Sequence, residues 1–179
     1  KGLPYLDGIE FTIIPNRSTA ILAFIAGKFD MTYPTEVTIP LLKDVKTQAP
    51  HAVCVVAPTN VSTNIIVNSS NPPFDNLDIR RALALALDRK AYVQIMFEGQ
   101  ADIGGTMEPA PAGLWAMPRE MLETIPGYGP DVEKNREEAR KLMQKAGYGP
   151  DKRLAIKIST RNIPIYRDPA IILIDQIKN

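Results

Sequence analysis

The chain has 179 residues and a net charge of +1, with 21 basic against 20 acidic side chains, which excludes a surface built to draw in a polyanion such as nucleic acid. At 45% hydrophobic and 23% charged residues the composition is that of an ordinary globular protein. No apolar run approaches the ~20 residues that span a bilayer.

Ile9–Pro15 is β-branched and aromatic between Asp7-Gly8 and Pro15-Asn16, which predicts a buried strand. Asn16 or Ser18 can cap a helix over Thr19–Ala26, with Ile21, Leu22 and Ile25 as its apolar stripe and Gly27 as its stop. Phe29–Thr32 returns to an extended conformation. Thr38–Gln48 predicts a second helix, with Pro40 tolerated in the first turn and Leu41, Leu42 and Val45 facing inward. Ala52–Val56 and Val61–Asn68 then read as two more strands.

Pro72-Pro73 is rigid and cannot continue a helix, so an extended segment must turn a corner there. Asp75-Asn76 offers capping side chains, and Ile79, Leu83, Ala86 and Leu87 recur at helical spacing. Asp88 can open another helix, Arg89–Glu98, ended by Gly99. Gln100–Gly129 is rich in proline and glycine and lacks periodicity. Its Trp115, Met117, Met121 and Leu122 predict a loop draped over a surface, with one short helix at Arg119–Thr124. Asp131–Ala146 is the cleanest helix, with Asp131 as N-cap, a Glu137–Lys141 pair, and Ala139, Leu142, Met143 and Ala146 as the buried stripe. Gly147 is the left-handed stop. Leu154–Ser159 alternates as a half-buried strand, and Ala170–Ile177 begins a further helix. Alternating strands and helices predict an α/β fold.

Few residues suggest chemistry. His51 is the only histidine, so no His-based triad or cluster exists, and it reads as a loop residue. Cys54 is the only cysteine and sits among valines, as a buried structural thiol does. Asp75 and Asp78 could pose as an acid–base pair, but at a helix start capping and dipole complementation explain them better. Gly104-Gly105 lacks the spacing of a nucleotide-binding loop. Arg80-Arg81 and Arg89-Lys90 interleave with Asp75, Asp78 and Asp88, which predicts a solvated, salt-bridged face and no nucleic-acid contact. No catalytic residue, metal ligand or cofactor is predicted, and the chain reads as a binding protein, not an enzyme.

One ordered run is more specific. Asn68, Asn71-Pro72-Pro73-Phe74-Asp75, Arg81-Ala82-Leu83, Ala86 and Asp88-Arg89 together resemble the extracellular solute-binding proteins of family 5, the oligopeptide, dipeptide and nickel receptors of ABC importers. Gly27-Lys28-Phe29-Asp30 and the stretch Leu142 to Ala146-Gly147-Tyr148 are similar to further family motifs, with Lys28 where Glu is commoner and Met143 where a second Leu is usual. The resemblance covers nearly the whole chain and corresponds to the middle of a complete family member.

The resemblance implies a bilobal, periplasmic-binding-protein-like fold of the class II type. Here it would comprise parts of two lobes, residues 1–67 and 68–179, joined by an extended hinge. The hinge is placed within Thr63–Asn71, at Ile66, Val67 and Asn68. Thr32, Tyr33, Thr63 and Asn64 are the candidate ligand-binding residues, because the family's corresponding segments border the ligand. The implied partners are a peptide-like ligand and an ABC permease in the membrane, and the implied location is periplasmic or lipid-anchored extracellular. A nickel, metallophore or haem receptor on the same fold is the alternative, followed by an enzyme, for instance a hydrolase with an unrecognised carboxylate pair, and by a sensor or chaperone without a transport role. The family's usual ligand-charge partners fall beyond Asn179 and its first-lobe strands before Lys1. A complete ligand site is therefore not expected from these residues alone, and Ile9–Pro15 and Ala170–Ile177 are expected to expose apolar edges.

Overall fold

The structure is a computed structural model that describes residues 2–33, 37–57, 61–105 and 116–178. It forms two compact units, Lys1–Val55 and Val56–Asn179.

Unit 1 is built on α1 (Arg17–Ile25) and α2 (Ile39–Gln48). Asn16 opens α1: its side-chain oxygen accepts from the Thr19 amide at 3.0 Å and the Thr19 hydroxyl at 3.1 Å. That satisfies one of the amides a helix start leaves free. Pro40 stands in the first turn of α2, where a missing N–H costs nothing. The two helices pack together, burying Ile21 and Val45, with Ala49 buried just past α2. Leu22 was expected on the buried stripe but is exposed, because a single partner helix covers only a narrow strip of α1.

Unit 2 contains α3 (Leu77–Ala86), α4 (Arg89–Phe97), α5 (Arg119–Leu122), α6 (Val132–Lys145) and α7 (Pro164–Ile177). Its main contact is α3 on α6. Ala82 and Leu85 of α3 meet Ala139 of α6, and Leu142 and Met143 close the cluster. Of the expected α6 stripe Ala139 is buried, while Leu142, Met143 and Ala146 are half-buried. On α3 the buried set is Ile79, Ala82 and Leu85, whereas Leu83, Ala86 and Leu87 are only half-buried. Small residues at 82 and 139 let the two helices approach closely and turn that face inward. Lys145 at the end of α6 reaches Asp78 in the first turn of α3 at 2.8 Å, each charge at the helix end its sign favours. Lys141 pairs with Glu138 at 3.7 Å and not with the expected Glu137, an i,i+3 pairing in place of i,i+4.

Two polar links tie the remaining elements to this pair. The Gln176 side chain of α7 bridges Asp88 at both backbone groups, accepting from its amide at 3.1 Å and donating to its carbonyl at 3.0 Å. Arg89 donates through Nη1 to the carbonyls of Ala84 at 3.3 Å and Gly127 at 2.7 Å, and its guanidinium lies 4.0 Å from the Tyr128 ring centroid. The segment after α5 is thereby fixed against the α3–α4 junction, in keeping with a draped loop. Trp115, also expected to anchor that loop, lies outside the described residues.

The α/β expectation is corrected in one respect. Among the described residues no strand forms: Ile9–Pro15, Phe29–Thr32, Ala52–Val56, Val61–Asn68 and Leu154–Ser159 carry no ladder hydrogen bonds, and the sole bridge joins Gly149 to Lys152. β-branched composition reports fitness for a pleated, half-covered surface, but a strand exists only when another lies beside it. Here none does. Ile13 is 89% exposed, Val53 92% and Ile66 94%. α7 also begins earlier than expected, at Pro164, and carries the buried Pro169 within it. A proline inside a helix removes one backbone hydrogen bond, so nothing in the sequence favours continuing α7 through Pro169. α7 buries Leu173 and exposes Ile171, so one flank is apolar and open.

Candidate functional site

The four expected ligand residues fall in both units. Thr32 and Tyr33 belong to unit 1, Thr32 half-buried and Tyr33 exposed. Thr63 and Asn64 belong to unit 2 and are exposed. Asn64 donates to the Ser62 carbonyl at 3.5 Å, the one hydrogen bond made by residues 61–67 among those described.

Thr63 does not stand alone. Burial pushes the Tyr92 phenol of α4 above its ordinary 10.0, and the nearby Thr63 side chain pulls it part of the way back. The two groups do not reach hydrogen-bond geometry, so the buried Tyr92 hydroxyl has no partner among the described residues, and neither has the Ser62 hydroxyl. The Tyr92 ring meets Phe97 edge to face, centroids 6.1 Å apart. The proximity of Thr63 to Tyr92 marks the approach of the 61–67 segment to α4. Tyr92 was missed from sequence, where it is one more helical aromatic.

Because the folded-state pKa of Tyr92 is raised, its contribution to stability is fully present below the unfolded value near 10 and is lost as pH rises through the folded value. Tyr92→Phe is expected to leave stability at pH 7 within about 0.5 kcal/mol, since no hydrogen bond is lost. It should also flatten the alkaline decline measured by urea midpoints between pH 9 and 11. A loss above about 1 kcal/mol at pH 7 would mean the hydroxyl is partnered after all.

Of the expected hinge residues, Ile66 and Val67 lie just upstream of a tightly bonded corner and Asn68 is part of it. Asn68 caps it, its side chain accepting from the Ser70 amide at 3.1 Å, and the Asn71 carbonyl accepts from the amides of Phe74 at 3.0 Å and Asp75 at 3.1 Å. Asn76, not Asp75, is the N-cap of α3, accepting from Asp78 at 2.8 Å. Arg80 was expected on a solvated ion-paired face. Instead its Nη1 donates back to the carbonyls of Phe74 and Asp75.

Of the Asp75/Asp78 pair, the Asp78 carboxylate is held by Lys145 and Asp75 is exposed. His51 is exposed and Cys54 is a half-buried free thiol. Among the described residues no group of His, Cys, Asp and Glu is placed to hold a metal ion, and no helix is long and apolar enough to cross a membrane. A cleft of about 390 Å³ opens between α4, α6 and α7, bordered by Asp88, Ile95, Arg136, Ile171 and Gln176. It includes none of the four expected ligand residues.

Comparison with known proteins accords with the proline-corner resemblance. Residues 1–176 match the family described as bacterial extracellular solute-binding proteins, family 5. The periplasmic oligopeptide-binding protein OppA of Escherichia coli is 28% identical over 167 residues, covering 93% of this chain and 29% of that protein. Heme-binding protein A of Haemophilus influenzae is 30% identical over 149 residues, 83% of this chain and 25% of that protein. Glutathione-binding protein GsiB of Salmonella typhimurium is 29% identical over 150 residues, 83% of this chain and 26% of that protein. The chain thus spans between a quarter and three-tenths of the length of these relatives. With a match running almost from end to end, the chain belongs to the bacterial extracellular solute-binding proteins, family 5.

Proposed function

We propose that this chain is part of the substrate-binding component of an ABC importer that captures oligopeptides or dipeptides. The family match over residues 1–176 carries the reading. Two lobes close about a hinge at Ile66, Val67 and Asn68, and the closed, ligand-bound form is presented to a membrane permease from the periplasm or a lipid anchor. Ligand affinity is then the extra stability that the ligand gives the closed state. Thr32, Tyr33, Thr63 and Asn64 supply hydroxyl, phenol and amide groups suited to a peptide backbone, which needs donors and acceptors in alternation. No catalytic step is involved.

A haem receptor is the second reading, favoured by the 30% identity to a haem-binding relative. Native mass spectrometry of the polypeptide carrying this chain, followed by denaturing spectra, separates the two. Extra mass in the range of a short peptide, released on denaturation, is the expected result. Haem released instead selects the second reading. A bare protein that also gives no calorimetric response to peptide mixtures or haem would sink both.

A further inference from the structure

We draw no further inference here: the strongest candidate, the cleft between α4, α6 and α7 bordered by Ile95, Arg136 and Ile171, is an open groove on a chain that spans between a quarter and three-tenths of the relatives above, and nothing in the structure shows what covers it.

Discussion

Gly127→Ala is expected to destabilise unit 2 by about 2–4 kcal/mol. Gly127 has φ +90°, a region where an L side chain is strained, and an added Cβ would stand 2.9 Å from the Ala84 carbonyl oxygen. That neighbour is helix backbone and cannot swing away. The same position is the hub of the Arg89 contact, since Nη1 bridges Gly127 to Ala84. Moving Gly127 outward to relieve the clash lengthens a 2.7 Å charged hydrogen bond and lifts Tyr128 from the guanidinium. The two losses are therefore coupled, and Arg89→Ala should cost less in the Gly127→Ala background than alone. Gly149 is the control. No atom lies within 4 Å of its would-be Cβ and its φ is not positive, so Gly149→Ala should be close to neutral. Urea unfolding followed by exchange of α6 amides reads unit 2 without interference from unit 1. A Gly127→Ala penalty no larger than that of Gly149→Ala would mean the 127–128 segment is not held by Arg89.

The helices were legible because their signals are local. Asn16, Asp88 and Asp131 each accept from an amide of the following turn. A cap and a stripe of apolar residues are complete within a dozen positions. Strands are not local. Ala52–Val56 has ideal composition for a strand, yet Val53 and Val55 face solvent because no second segment pairs with them among the described residues. Composition announces a willingness to pair and nothing about whether a partner is present.

The site was legible mainly by resemblance. Thr32, Tyr33, Thr63 and Asn64 stand out by no periodicity of their own. Arg80 was misread because its partners are backbone carbonyls, which every residue has and no sequence pattern marks. Asp75, Asp78 and Asp88 offered visible countercharges, and an ion-paired face was the natural inference. Tyr92 was invisible for a related reason. A helical tyrosine looks alike whether its hydroxyl points to water or is buried without a partner, and that difference is a property of the packing.

Packing also sets the second large effect. Leu85→Ala is expected to cost unit 2 about 2.5–4 kcal/mol, in the upper range for a buried leucine. Leu85 is 7% exposed and its neighbours in the α3–α6 core are Ala82 and Ala139, which have no side-chain reach to refill the space. Collapse would require the two helices to move together. Lys145 on Asp78 holds one end of the pair, and the Arg89 and Gln176 links hold the α3–α4 junction at the other. Met143, flexible at the cluster edge, is the side chain able to lean inward and recover part of the loss. Leu83→Ala supplies the comparison. That side chain is half-buried on another face of the same helix, so equal helix propensity changes accompany a cost of only about 1 kcal/mol. Urea midpoints from α6 amide exchange should therefore separate the two variants clearly. If they coincide, the contact between α3 and α6 does not govern the stability of unit 2. If Leu85→Ala alone is severe, adding Met143→Leu should worsen it, because a branched side chain cannot follow the cavity as methionine can.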